Sequence, residues 1–355
     1  MNKGKQILIW IVGLVLFGFL LSALSGVLMP FVVGIAVAYF LDPAADRMES
    51  LGISRALATV LILLAFFILV AGGLILLLPL LKAQVIDLAA RVPDLIEALR
   101  RQAEPLLADL RNQLPADAVQ RLSQAAGSVS GLAAKWLTGI LGGLWSGGMA
   151  FINLLSLLLI TPLAAFYLLR DWDRIIEHLD GLLPRDFAGA IREQAAEVDR
   201  TLAAFVRGQA SVCLVLAIFY AVGLTVAGLE YGLLVGIGAG LISFVPYIGA
   251  AIGLAVGTAI AVAQFSDLAS ILTVVAVFII GQTAESYFLT PRLVGGRVGL
   301  QPIWIIFALL AGGALFGLTG VLLAVPVAAV IGVLVRFGQS RYLESAFYKG
   351  GGGAN

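Results

Sequence analysis

Charged residues are scarce in this chain: only 12% of its 355 residues are charged, whereas 61% are hydrophobic. Soluble domains carry about 25% charged residues, so this composition excludes a soluble globular protein. The formal net charge is only +1 and the chain has no basic stripe, which argues against nucleic acid as a partner. The composition predicts a polytopic membrane protein with membrane lipid as its surroundings.

Cysteine and histidine are almost missing. The single cysteine, Cys213, excludes an internal disulfide, and its apolar neighbours favour a buried packing residue. The single histidine, His178, lies in a polar segment and is interpreted as a solvated side chain. Metal-site spacings, a P-loop and a dinucleotide fingerprint are also lacking, so we predict no cofactor, no metal and no ATP hydrolysis. Without a Ser/His pair, a His-Glu-x-x-His motif or paired intramembrane aspartates, an enzyme is not expected.

Long uncharged runs define the first part of the chain, 1–79. Residues 7–41 contain no charge and would form about 52 Å of helix, too long for one crossing of a hydrocarbon core about 30 Å thick. They predict two spans that turn near residues 22–26, the first of them an uncleaved span and not a signal peptide. A loop is predicted over residues 42–55, and a third span ends at Pro79.

The next stretch, 80–147, is amphipathic. Three prolines, at positions 93, 105 and 115, predict short helices here. They are interpreted as packing on each other, on a neighbouring subunit or on the membrane surface; the alternative is a lid over a pathway. The apolar stripe consists of Val85, Leu88, Val92, Leu95, Ile96 and Leu99.

Two further segments complete the division of the chain. Segment 148–208 combines a fourth span with a basic amphipathic helix, and 209–340 forms an almost uncharged core before a tail at 341–355. If both termini are cytoplasmic, every Lys and Arg of a short loop is cytoplasmic as well. The long segment 80–147 is then extracytoplasmic, and the chain is expected in the bacterial inner membrane.

Two uncharged runs in the core are interrupted by glycine and proline. They contain GLISFVP, ending at Pro246, and GVLLAVP, ending at Pro326, and each follows one predicted span. The spans cross in opposite directions, so we predict two broken hairpins in an inverted repeat, a plan common in secondary transporters. Freed backbone groups at such breaks need a cavity or protein partners. The alternative is a proline kink that only shapes packing.

Six segments resemble a known family: AYFLDP, FYLLRDWDRI, FVRGQ, FVPYIGAAIG, GQTAESYFLTPRLVGGRVGLQP and LLAGGALFGLTGVLLAVP. Together they are similar to the bacterial autoinducer-2 exporter family of permeases. The resemblance implies about eight hydrophobic segments and movement of a small solute or ion without ATP, with export of autoinducer-2 or sodium–proton exchange as associated activities. Family members often have Asn where this chain has Ser286, so contacts of that Asn are not transferred.

Glu285 is the leading candidate for chemistry, because a carboxylate inside a span usually faces a partner or a pathway. It is expected to bind a cation or a proton, with Gln282 one turn earlier on the same face. The alternative is a structural ion pair with Arg292. Asp267 is predicted to cap a helix, and Glu230 to complement a helix N-terminus.

The sequence thus predicts a permease that exports or exchanges a small polar solute, coupled to H⁺ or Na⁺, an antiporter being one form. The alternative is a membrane scaffold that acts through its amphipathic helices. A homo-oligomer is expected, because short amphipathic helices need an apolar partner. The residues predicted to line the pathway are Pro246, Tyr247, Gly249, Gln282, Glu285, Pro291, Gly312, Gly313, Gly317, Gly320 and Pro326.

Overall fold

The computed structural model describes residues 18, 24–113, 147–246, 248–294 and 300–349, and in these ranges it is helical without strands. A π-helix, Glu285–Val294, directly continues α7. The α-helices are α1 (Ser25–Ser50), α2 (Arg55–Gln113), α3 (Gly147–Gly181), α4 (Ala188–Val226), α5 (Gly232–Ile242), α6 (Ile248–Gln264), α7 (Leu268–Ala284), α8 (Pro302–Glu344) and α9 (Ala346–Lys349).

Most of these helices have the length and composition of membrane spans. Two others, α5 and α6, are strongly apolar but have only 11 and 17 residues. They are therefore about 17 and 26 Å long, shorter than the hydrocarbon core. The prediction of an all-α polytopic membrane protein is confirmed. Five stretches of the described residues qualify as spans: Val27–Ser50, Arg55–Leu95, Ala188–Val226, Leu268–Val294 and Pro302–Glu344.

The chain forms two compact units. The first unit combines Met1–Phe67, Ser156–Ala210 and Thr290–Asn355, and the second combines Ile68–Leu155 and Ser211–Leu289. In the first unit, α1 packs against α8. A core in this unit joins Ala38 and Leu41 of α1 to Leu63 of α2 and Leu169 of α3. In the second unit, α5 packs on α6 and α6 packs on α7.

Prolines end fewer helices than the sequence predicted. Helix α1 continues through Pro43 to Ser50, so the expected loop shrinks to residues 51–54. Helix α2 is one continuous helix of 59 residues, so neither Pro79, Pro93 nor Pro105 ends it. A proline removes one backbone hydrogen bond, and in a long helix the turns on both sides hold it together. The stretch that contains Pro115 lies outside the described residues.

The first hairpin consists of α5 and α6, joined across a break between Ile242 and Ile248. The chain leaves α5 through successive backbone hydrogen bonds: Ser243 N–H donates to Ala239 C=O at 2.9 Å, and Val245 N–H donates to Ile242 C=O at 3.0 Å. The prediction of a helix pair broken at this point is confirmed.

The second hairpin is formed by α8, which is broken at Gly317. This glycine has φ 59° and ψ −139°, a conformation far from helical. A Cβ at Gly312 would lie 2.5 Å from the carbonyl oxygen of Gly320, which shows that the chain doubles back at Gly317. In a straight helix these residues would be about 12 Å apart. Pro326 lies inside the following helical arm, so the alignment of Pro326 with Pro246 was wrong.

Glycines at every fourth position let the helices of the second unit approach closely. In α5 they are Gly232, Gly236 and Gly240, and a Cβ at Gly236 would overlap the backbone of Ala221 in α4. In α6 the glycines at this spacing are Gly249, Gly253 and Gly257. A Cβ at Gly253 would lie 2.6 Å from the ring of Phe278 in α7. Small residues at this spacing are typical of tight helix packing in membranes.

Candidate functional site

Glu285 is a buried carboxylate at the end of an apolar helix in the second unit. Only 5% of the residue is exposed, and its Oε2 atom has no hydrogen-bond partner among the described residues. Gln282, one turn earlier, lies within hydrogen-bonding reach of the carboxyl group. A carboxylate so placed is costly to hold without a bound proton or cation, which is the arrangement expected of an ion site.

The hydroxyl of Tyr220 is another buried polar atom of the second unit that has no hydrogen-bond partner among the described residues. Tyr220 is fully buried, and its ring packs against Phe278 with centroids 4.9 Å apart. A Cβ at Gly281, one turn before Glu285, would lie 2.7 Å from this hydroxyl, so the glycine makes room for it.

The helix changes type at Glu285. It is α-helical to Ala284 and becomes a π-helix over Glu285–Val294. π-Helical turns widen the backbone and occur frequently at functional sites. Gln282 Nε2 donates to the Ser286 hydroxyl at 3.2 Å, so Ser286 holds the amide beside the carboxylate. These neighbours offer oxygen and amide groups to a proton or a monovalent cation.

The described residues contain no group of three or more His, Cys, Asp and Glu side chains that could hold a metal ion. Beside the Glu285 carboxylate, the described residues provide the phenol of Tyr220 and the amide of Gln282.

The predicted site residues divide between the units. The second unit holds Pro246, Gly249, Gln282 and Glu285, whereas Tyr247 lies outside the described residues. Gly249 is buried in the turn of the first hairpin, where a Cβ would overlap the Ser243 hydroxyl, so only glycine fits there without a shift. The first unit holds Pro291, Arg292, Gly312, Gly313, Gly317, Gly320 and Pro326. That both sets line one cavity stays a prediction, as does the pairing of Glu285 with Arg292.

The two other acidic residues of the core have structural contacts. Asp267 caps α7 as predicted: its Oδ2 accepts from Ser270 N–H at 2.8 Å, and hydrogen bonds from Ser270 lower the pKa of Asp267 below its usual value. Glu230 pairs with Arg91 of α2 at 3.0 Å. Beside it, the Tyr231 hydroxyl donates to Asp87 at 2.7 Å. This polar group ties α2 to the start of the first hairpin.

A pocket in the first unit is a second candidate site, which the sequence did not predict. It has a volume of about 100 Å³ and lies between the polar end of α1, the second half of α3 and the first half of α4. We call it the polar-end pocket. The residues that line it are Ile35, Ala38, Tyr39, Asp42, Leu168, Leu169, Trp172, Asp199, Ala203 and Arg207.

Hydrogen bonds fix the polar side chains of this pocket. The Tyr39 hydroxyl donates to Asp199 Oδ1 at 2.9 Å, which joins α1 to α4. Arg55 donates to Asp42 Oδ1 at 2.8 Å and to the Leu169 carbonyl oxygen at 3.1 Å. The rings of Tyr39 and Trp172 meet edge to face with centroids 6.1 Å apart. The pocket is therefore a preformed feature of the unit.

The sequence contained a signal for this pocket that went unused. Tyr39 and Asp42 belong to AYFLDP, Trp172 to FYLLRDWDRI and Arg207 to FVRGQ. These segments are far apart in the chain, and only the fold shows that they meet. Their carboxylates occur in polar stretches at helix ends, where a solvated side chain is the ordinary interpretation.

Comparison with known proteins identifies the relatives of the chain. The sequence model described as AI-2E family transporter matches residues 7–339. A proposed transport protein of Bacillus subtilis, YrrI, is 29% identical over 315 residues, covering 87% of this chain and 86% of YrrI. A second from that organism, YueF, is 28% identical over 329 residues, covering 88% and 87%. A proposed permease of Escherichia coli K12, PerM, is 27% identical over 320 residues, covering 88% and 87%.

Proposed function

The chain belongs to the AI-2E transporter family, and on this premise we propose that it is a secondary transporter of a small polar solute. Family membership and the apolar helices make it a multi-pass membrane transport protein. The proposal adds that transport proceeds without ATP and that H⁺ or Na⁺ binds at Glu285. Autoinducer-2 is the first solute to test, because the sequence resembles a family that is associated with export of this signal.

The observation that supports coupling is the buried carboxyl group of Glu285. Its Oε2 and the Tyr220 hydroxyl are both buried and both lack a hydrogen-bond partner among the described residues. A bound proton or cation would neutralise the buried carboxylate. Release of that ion would leave the carboxylate charged and buried, which is unfavourable. This alternation is what a coupling site needs, since the two states of the carrier must differ in ion affinity.

A transporter of a polar solute also needs polar groups inside its apolar surroundings, and we propose that the broken hairpins supply them. The breaks after Ile242 and at Gly317 interrupt the regular hydrogen bonding of otherwise apolar helices. Backbone amides and carbonyls at such breaks bind polar parts of a solute in secondary transporters. We propose this role for both hairpins, each within its own unit.

Flux in proteoliposomes tests the coupling proposal. Purified protein is reconstituted without ATP, and uptake of autoinducer-2, Na⁺ and H⁺ is measured under imposed ion gradients. Glu285→Gln has nearly the same size but cannot ionise, so it should abolish solute flux or its dependence on the ion gradient. Glu230→Gln is the matched control, because Glu230 is half-exposed and paired with Arg91; it should retain flux. A fully active Glu285→Gln with unchanged ion dependence would remove Glu285 from the mechanism.

Stability measurements separate this role from a structural pair with Arg292. If Glu285 only neutralised Arg292, Glu285→Gln would lower the melting temperature, and exchanging the two residues would partly restore it. If Glu285 binds the coupling ion, Glu285→Gln should keep the melting temperature within about 2 °C while flux is lost. Tyr220→Phe removes only the hydroxyl and should weaken ion dependence without unfolding the protein.

We propose the bacterial inner membrane as the location, with both termini cytoplasmic. Single cysteines at Leu110 and Ser345, in a Cys213→Ala background, should react with an impermeant maleimide from opposite sides. Reaction of both from one side would overturn this orientation, and with it the inverted arrangement of the two hairpins.

We also propose a homo-oligomer in which the α2 stripe from Val85 to Leu99 contributes contacts. Helix α2 exposes large apolar side chains along much of its length, including Leu69, Leu76 and Ile86. Cross-linking in native membranes and mass determination in mild detergent measure the subunit number. A strictly monomeric protein in both would contradict the proposal.

A further inference from the structure

The polar-end pocket presents hydrogen-bond acceptors to a ligand. Asp199 uses its Oδ1 to accept from Tyr39, and Asp42 uses its Oδ1 to accept from Arg55. In the described part of the chain, the second oxygen of each carboxylate has no hydrogen-bond partner. Two carboxylate oxygens on different helices are therefore available, and a ligand that complements them must supply donors.

The charges around the pocket sum to a negative value. Its lining contains two carboxylates, Asp42 and Asp199, and one guanidinium, Arg207, whose Nε donates to the Ala203 carbonyl oxygen at 3.2 Å. Arg55 neutralises Asp42 only in part, because it also pairs with Asp46 and with Glu49, the latter at 3.0 Å. Counting Asp42, Asp46, Glu49 and Asp199 against Arg55 and Arg207 leaves two negative charges in excess. A cation is favoured over a neutral or anionic ligand.

The remaining walls are apolar and aromatic. The rings of Trp172 and Tyr39 line the pocket, together with Leu168, Ile35 and Ala203. An aromatic face attracts an ammonium group, and the apolar side chains suit a short carbon chain. A hydrated metal ion would gain nothing from these walls. The volume of about 100 Å³ limits the ligand to a few heavy atoms, because a cavity of about 150 Å³ holds benzene.

We propose that the polar-end pocket binds a small organic ammonium ion, held by Asp42 and Asp199 against Trp172. The ammonium group donates to the second oxygens of the two carboxylates, and its short carbon chain lies along the apolar wall. This site is distinct from the ion site proposed at Glu285, which belongs to the other unit. Its ligand can be tested by binding in detergent, independently of flux.

Ethanolamine and ethylene glycol form a matched pair of probes. Both have four heavy atoms, but at neutral pH only ethanolamine has an ammonium group. Equilibrium binding of each is measured by saturation-transfer NMR on the purified full-length protein in detergent. Ethanolamine should bind with a dissociation constant of about 1–10 mM, as expected for a ligand of this size, and ethylene glycol at least about tenfold more weakly.

Variants of two aspartates locate the binding. Asp199→Asn can still accept from Tyr39 but loses the charge, so it should weaken ethanolamine binding about tenfold. Asp46→Asn removes a carboxylate from the Arg55 cluster that does not line the pocket, and it should retain binding. The melting temperature of each variant is recorded to confirm that it is folded.

Three results would overturn the proposal. Equal binding of ethanolamine and ethylene glycol to the native protein would show that charge is not recognised, whatever the variants do. Displacement of ethanolamine by equimolar Na⁺ would assign the pocket to an inorganic cation. Unchanged ethanolamine binding in a folded Asp199→Asn would place the ligand elsewhere.

Discussion

The two broken hairpins reach a similar shape by different means. The first hairpin uses two separate helices and a break between Ile242 and Ile248 that is held by local backbone hydrogen bonds. The second turns at the single residue Gly317 inside α8, in a conformation with φ 59° and ψ −139°. The first break extends over several residues, whereas the second depends on one glycine. This difference predicts that the hairpins respond unequally to single substitutions.

The largest effect is expected at Gly320, in the second hairpin. A Cβ there would overlap the carbonyl group of Gly312, so two backbones must separate. Gly320→Ala should lower the free energy of unfolding by about 3 kcal/mol, the upper end of the usual overpacking cost. Gly313→Ala is the matched control, because its Cβ would meet only a methyl group of Val321 at 3.2 Å. Thermal unfolding in detergent measures the stability of both variants. Equal losses of stability would show that the two parts of α8 on either side of Gly317 are not in close contact.

The next largest effect is expected at Gly317 itself. Residues other than glycine rarely adopt its conformation, at a cost of about 1–3 kcal/mol. Gly317→Ala should lower the melting temperature. Gly338→Ala should not, because nothing lies within 4 Å of a Cβ at that position.

A cross-link reports whether the turn at Gly317 survives. Cysteines at Gly313 and Val321, in a Cys213→Ala background, should form a disulfide because these positions are adjacent across the turn. A straight helix would separate them by about 12 Å. If this disulfide does not form in a folded protein, the turn at Gly317 is contradicted.

In the first hairpin, the sensitive position is Gly249, where the arms meet. A Cβ there would crowd the Ser243 hydroxyl and lie 2.5 Å from the Ala239 carbonyl oxygen. We expect Gly249→Ala to cost about 1–2 kcal/mol, because the shift that relieves the overlap can be spread over several residues of the turn. Gly238→Ala in α5, with nothing within 4 Å of its Cβ, is the control in thermal unfolding. A loss as large as that of Gly320→Ala would remove the contrast between the hairpins.

Composition and uncharged runs were enough to predict the all-α membrane fold and both interrupted segments. They could not locate the second break, because LFGLTGVLLAVP offers three glycine or proline candidates and only the fold shows that Gly317 turns. Proline was overrated as a helix terminator at Pro79 and Pro93, where neighbouring turns of α2 keep the helix intact. Glu285 was found because a lone carboxylate in an apolar span is conspicuous. Asp199 was missed because its meeting with Tyr39, 160 positions away in the chain, is a tertiary contact.

The smallest effect is expected at Pro246, in the turn of the first hairpin. The turn around it is held by bonds from other residues: Phe244 N–H donates to Leu241 C=O at 3.2 Å, and Ile248 N–H donates to Val245 C=O at 3.3 Å. Neither bond requires proline, which contributes mainly by restricting the unfolded chain. Pro246→Ala should therefore cost only about 0.4–1 kcal/mol. Thermal unfolding should show a smaller shift than Gly317→Ala, measured in the same detergent. If Pro246→Ala were the more damaging of the two, the first hairpin too would depend on a single residue, and the distinction between a distributed break and a one-residue break would fail.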